Sequence, residues 1–77
     1  MPDIFREGGF VFYFYSNEHQ PEHCHVRKGD GSCKVNLRTL VLSEVFGLSP
    51  TQRKTIKGIV TINQQTLLEA WDGHFNK

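Results

Sequence analysis

Cysteine, net charge and long apolar runs are all scarce in this sequence, and each shortage removes a class of function. Two cysteines stand among 77 residues, Cys24 and Cys33, and no Cys-x-x-Cys pair occurs. That is not a zinc-finger spacing. Formal net charge is +1. No whole-molecule field therefore draws the chain to nucleic acid or membrane, and such a partner must be recruited by a local patch. No apolar stretch approaches the roughly 20 residues of a membrane-spanning helix, so no membrane is expected. The start, Met1 to Arg6, lacks a basic segment followed by an apolar one, so no signal peptide is expected. The cysteines then read as reduced thiols in a cytoplasmic protein. No repeat, low-complexity tract or linker interrupts the chain. Its length allows a single domain, 1–77, and excludes large multi-substrate enzymes. Chains this short bury only about 60% of their unfolded surface, which favours association. Small nucleases, binding modules and regulatory partners remain.

Aromatic residues are plentiful: six Phe, two Tyr and one Trp. Many fall in Phe10-Val11-Phe12-Tyr13-Phe14-Tyr15, which suits a pleated strand. Residues 3–6 read as a short strand before it, closed by Glu7-Gly8-Gly9. After a polar loop, 23–28 and 33–38 read as a hairpin around Asp30-Gly31, a strong turn pair. Residues 40–46 are either a fifth strand or an edge segment. From Ser49 the pattern turns helical: Ser49 caps, Pro50 suits the first helical position and Gln52 completes a capping box. Apolar residues then recur at helical spacing from Ile56 to Phe75. One helix over 50–74 would be roughly 37 Å long, against a radius of gyration near 11–12 Å for a compact chain of this size. Either it breaks, near Gly58 or Asn63, or it projects and packs on a partner. Ile62 and Leu68 lie off its main stripe, so a homodimer or heteromer through this helix is expected. The fold class is α+β: a small antiparallel sheet of four to five strands packed against one long C-terminal helix.

An Asp30-Gly31 turn sets a register in which Val26 faces Val35 and Arg27 faces Lys34. The helix covers the Phe face of the sheet. The other face carries Tyr13, Tyr15, His23, His25, Arg27, Lys34, Asn36 and Arg38, with no carboxylate from these strands. Arg27 opposite Lys34 repels, and an anion would relieve that. Aromatic rings among cations on a sheet suit single-stranded nucleic acid. A merely solvated polar face is the plainer alternative.

Histidines cluster in Glu18-His19-Gln20-Pro21-Glu22-His23-Cys24-His25. His23 and His25 project to one face of a strand. With Arg27 and Tyr13 they form a candidate catalytic set for metal-independent RNA cleavage. One imidazole takes the 2′-hydroxyl proton, the other protonates the leaving oxygen, and the cation stabilises the phosphorane while Tyr13 orients the phosphate. Tyr15, Lys34, Asn36 and Arg38 are the candidate binding residues. No cofactor is favoured; a zinc ion, if one is held, would take His19, His23 and His25. Alternatively His19 and His23 only brace the loop around Pro21, with Glu18 or Glu22 as partners.

Several of these segments resemble a family of small bacterial proteins known as domain of unknown function 4160. They are Pro2 to Arg6, Gly9-Phe10, Phe12 to His19, Pro21-x-His23-x-His25-Val26, Lys28 to Gly31, Gly47-Leu48-Ser49 and Leu67 to Trp71. The resemblance covers nearly the whole chain and marks His19, Pro21, His23 and His25 as a site. Cys24 and Gln20 depart from the family pattern. The resemblance implies a genomic neighbour, a small protein of the domain of unknown function 2442 type, and so a type II toxin–antitoxin-like pair. The expected function is therefore one half of such a pair, binding RNA or another polyanion and cleaving RNA in the sharpest version. The alternative is a non-enzymatic protein-binding or metal-binding regulatory module.

Overall fold

A computed structural model describes residues 3–15 and 19–75. Glu18, a proposed brace for the histidine loop, lies outside the described residues. Five strands form one antiparallel meander in chain order: β1 (Asp3–Glu7), β2 (Phe10–Tyr13), β3 (His23–Lys28), β4 (Gly31–Asn36) and β5 (Leu42–Phe46). Two helices follow, α1 (Pro50–Ile62) and α2 (Gln64–Phe75). The α+β class stands; the single long helix does not.

The helix breaks at Asn63. This residue caps α1 with φ −103° and ψ 14°. Its backbone N–H (3.1 Å) and side-chain amide (2.8 Å) both donate to the Ile59 carbonyl. Its own carbonyl accepts from Leu67 N–H at 2.9 Å, which opens α2. A short amide side chain competes for local backbone groups in this way, whereas Gly58 stays inside α1. The start of α1 follows the sequence, with Ser49 and Gln52 forming a reciprocal capping box. The Cα radius of gyration is 11.5 Å, so the helices lie on the sheet rather than projecting from it.

Both helices cover one sheet face. Ile56, Ile59 and Val60 of α1 and Leu67 and Trp71 of α2 pack on Phe10, Phe12, Cys24, Val26, Cys33 and Val35. Leu68 is half-buried against this core, while Ile62 is 84% exposed. β2 ends at Tyr13 rather than Tyr15 because Phe14 leaves the ladder to meet Trp71 edge-on, centroids 5.4 Å apart.

The hairpin register differs from the expected one by two residues. Lys28 pairs with Gly31, Val26 with Cys33, His25 with Lys34 and His23 with Asn36. The turn is Gly29-Asp30, with Gly29 at φ 57°, a position where glycine carries no steric penalty. Gly31 belongs to β4 instead, where a Cβ would meet Leu48 Cδ2 at 2.6 Å and the Gly47 carbonyl at 2.7 Å. A shift of two keeps every side chain on its face. It does separate Arg27, now opposite Ser32, from Lys34. The two cations are diagonal neighbours rather than directly opposite, which weakens the repulsion expected between them.

Candidate functional site

No helix covers the second sheet face among the described residues, and the strand register lays it out in rows. One row runs Arg6, Val11, Arg27, Ser32, Phe46. The next runs Tyr13, His25, Lys34, Ser43. His23 and Asn36 end the face. Alternation along each strand puts these residues together, and the meander brings distant segments side by side.

Tyr13 is the floor of this surface, only 6% exposed. His25 stacks on it at 5.4 Å with 23° between planes. Tyr15 meets Tyr13 edge-on at 5.5 Å and His25 at 4.4 Å. The Arg27 guanidinium lies 5.2 Å from the Tyr13 ring centre. Burial, then the hydrogen bond to Tyr15, raise the Tyr13 pKa, with Arg27 pulling the other way. Tyr13 therefore stays a neutral phenol, while Tyr15 at 46% exposure is the more open of the two tyrosines.

Beside this aromatic cluster lies a hollow of about 400 Å³. Tyr15, His19, Pro21, His23, His25 and Lys34 form its wall, and Glu44 closes one side. That carboxylate, contributed by β5, sits 3.1 Å from Lys34 Nζ. The absence of acids expected from β2–β4 alone thus does not extend to the whole face. Counting described side chains, the face presents Arg6, Arg27 and Lys34 against Glu44.

Other predicted site residues have different surroundings. His23 is 7% exposed and packs against Trp71 at 5.2 Å. Its Nδ1 lies 2.8 Å from the Pro21 carbonyl. A carbonyl only accepts, so the proton is on Nδ1. His23 braces its loop and stands 5.2 Å from His25. The Asn36 Oδ1 accepts from the backbone N–H groups of Arg38 and Thr39 and is committed to the β4–β5 turn. Arg38 lies beyond the end of β4, away from the Tyr13 cluster. It pairs with Glu22 at 2.8 Å beside Glu69 and Asp72 of α2. The hydrogen bond from Arg38 holds the Glu22 carboxyl below its ordinary pKa. Among the described residues, no three His, Cys, Asp or Glu side chains converge so as to hold a metal ion.

Sequence reasoning missed Arg6, Phe46 and Glu44. Alternation back from the Gly8-Gly9 turn would have found Arg6. Phe46 and Glu44 were hidden by the β5 irregularity, where Ser32 pairs with Phe46 but Lys34 with Ser43, and Glu44 takes φ 51°. Such a bulge breaks simple alternation.

No curated protein and no solved structure matches the chain. A protein-family profile does match, over residues 9–72, and its description is a domain of unknown function (DUF4160).

Proposed function

Because the chain belongs to this family, whose description names no activity, we propose a function from the chemistry of the open sheet face: it binds single-stranded RNA. The observation that carries the reading is the wall of Tyr15, His25 and Lys34 around a hollow of about 400 Å³ on the sheet face opposite α1 and α2. An exposed ring stacks on any base, and stacking requires bases already splayed from a duplex. Lys34 and Arg27 supply charge for the phosphates. In the two-protein arrangement that the family resemblance implies, this face would engage RNA and a second small protein would restrain it.

Metal-independent strand cleavage is the sharper form of the proposal. His25, half-buried and bordering the hollow, is its proton-transfer group. His19, exposed on the same wall, is the second imidazole. Lys34 meets the phosphate. His23, buried behind them, is a positioning residue.

Fluorescence anisotropy with a labelled single-stranded RNA of about ten nucleotides tests the binding; each stacked base contributes about 1–3 kcal/mol. Tyr15→Ala should therefore weaken it roughly 5- to 150-fold. Wild-type protein that fails to bind at low salt overturns the reading. In a gel assay, His25→Ala should abolish cleavage while binding persists. Cleavage that survives this change removes His25 from the mechanism.

A further inference from the structure

The helix layer stops short of β5. Leu42 pairs with Val35, which the helices bury, so Leu42 points to the helix side of the sheet. Among the described residues, none from β5 joins the buried core. Instead a groove of about 470 Å³ runs between β5 and α1. Leu40, Val41, Leu42 and Val45 make its aliphatic floor, with Val41 58% and Val45 37% exposed. One wall is α1, which contributes Arg53, Lys54 and Lys57, and no carboxylate lines the groove. Arg53 and Lys57 stand one helical turn apart and form a single ridge. None of the three cations has an ion-pair partner among the described residues. Aliphatic floor and cationic wall thus lie on the same side of the sheet.

We propose that this groove binds an amphipathic helix of a second protein, whose aliphatic stripe is flanked by acidic residues. The bound helix lies beside α1 and over β5, as a third member of the helix layer. A helix presents apolar residues at i, i+3, i+4 and i+7 and can carry acids beside that stripe, on the same side. Acids one turn apart then meet Arg53 and Lys57, which have the same spacing. An added strand meets neither condition. It turns alternate residues to opposite sides, and the β5 ladder is irregular where Ser32 pairs with Phe46 but Lys34 with Ser43. RNA does not fit, since no aromatic ring lines the groove. A bilayer surface is flat, whereas these side chains line a concavity. A second copy of this chain offers no such helix: α1 holds no acidic residue, and the apolar residues Leu67 and Trp71 of α2 are already buried. The groove is on the side of the sheet opposite the open face, so the inference is independent of RNA binding there.

The test is an amide NMR titration of the full chain with a blocked synthetic peptide of about 18 residues, long enough to form a helix. It carries leucines at helical spacing, glutamates flanking them and alanine elsewhere. Saturable shifts should run along residues 40–45 and 53–57. A peptide of the same composition with its leucines at alternate positions should bind at least about 10-fold more weakly. The variant Arg53→Glu/Lys57→Glu, altered at two exposed positions, should keep its fold by circular dichroism. It should lose the glutamate peptide by about 10-fold or more and accept a lysine-for-glutamate counterpart that the wild-type protein rejects. Val41→Ser, which changes no charge, should weaken binding as well. Four outcomes overturn the proposal: no saturable shift, equal binding of both leucine patterns, a charge reversal that does not switch the preference, or the same resonances shifting on self-association or on adding phosphatidylglycerol vesicles instead.

Discussion

Trp71 holds the histidine end of the sheet in place. It is 2% exposed and packs on Phe14, Phe75 and His23. Its indole Nε1 has no hydrogen-bond partner among the described residues, and such a buried donor costs about 1–3 kcal/mol. Trp71→Phe loses volume but also removes that donor, so the net change should stay within about 1.5 kcal/mol. Trp71→Ala leaves a cavity and should cost about 3–5 kcal/mol. Urea unfolding of both variants checks this, and a Trp71→Phe loss well above that bound would show that the N–H is satisfied. In the sequence Trp71 falls within the helical run of apolar residues that ends at Phe75, and it is indeed buried. Its contact with His23 was not legible, because only the docking of α2 on the sheet brings the two rings together. Cys33 is simpler: burial pushes its thiol up to about 11, in keeping with a small core residue.

At the scale of elements, the β3–β4 hairpin shows where local rules stop. Asp30-Gly31 is a stronger turn pair by composition than Gly29-Asp30. The chain nonetheless turns one residue earlier, because Gly31 is where the β5–α1 connection passes closest. A Cβ there would press on the Gly47 carbonyl at 2.7 Å, and backbone cannot swing aside as a side-chain tip does. Gly31→Ala should therefore destabilise the protein by about 1–3 kcal/mol, read as a lower Tm in calorimetry. A neutral Gly31→Ala would mean that the connection is loosely held. Within β3 and β4 the faces were assigned correctly from sequence, because a two-residue slip preserves parity, but Arg38 lies beyond the end of β4. The partners were not, and Arg27 and Lys34 are diagonal rather than directly opposite. The break at Asn63 was one of two candidates, and side-chain hydrogen bonding decided it over glycine flexibility.

Over the whole molecule a net charge of +1 conceals segregation. Cations lead on the open face, while Glu22, Glu69 and Asp72 gather around Arg38 beside α2. The field that RNA meets is thus more positive than composition indicates. Single-strand binding loses about 0.7 in the slope of log K against log salt for each phosphate neutralised. With Arg27 and Lys34 engaged, the slope should be about −1.4, and Arg27→Ala should reduce it by about 0.7. Glu44→Gln, which releases Lys34, should tighten binding. Anisotropy across a salt series measures all three, and a flat salt dependence would mean that phosphates are not contacted.

By itself the sequence determined the α+β class, the aromatic strand, the capping box that starts α1, and which residues of β3 and β4 share a sheet face. These follow from period, parity and local hydrogen bonding, all of which act over a few residues. Only the tertiary structure decided that Glu44 pairs with Lys34, that Arg38 pairs with Glu22, that Asn36 serves a turn and that His23 is buried against Trp71. Each of these depends on a bulge, a loop path or a helix docking angle. Those are set by the packing of the whole chain, not by the residues nearby in sequence.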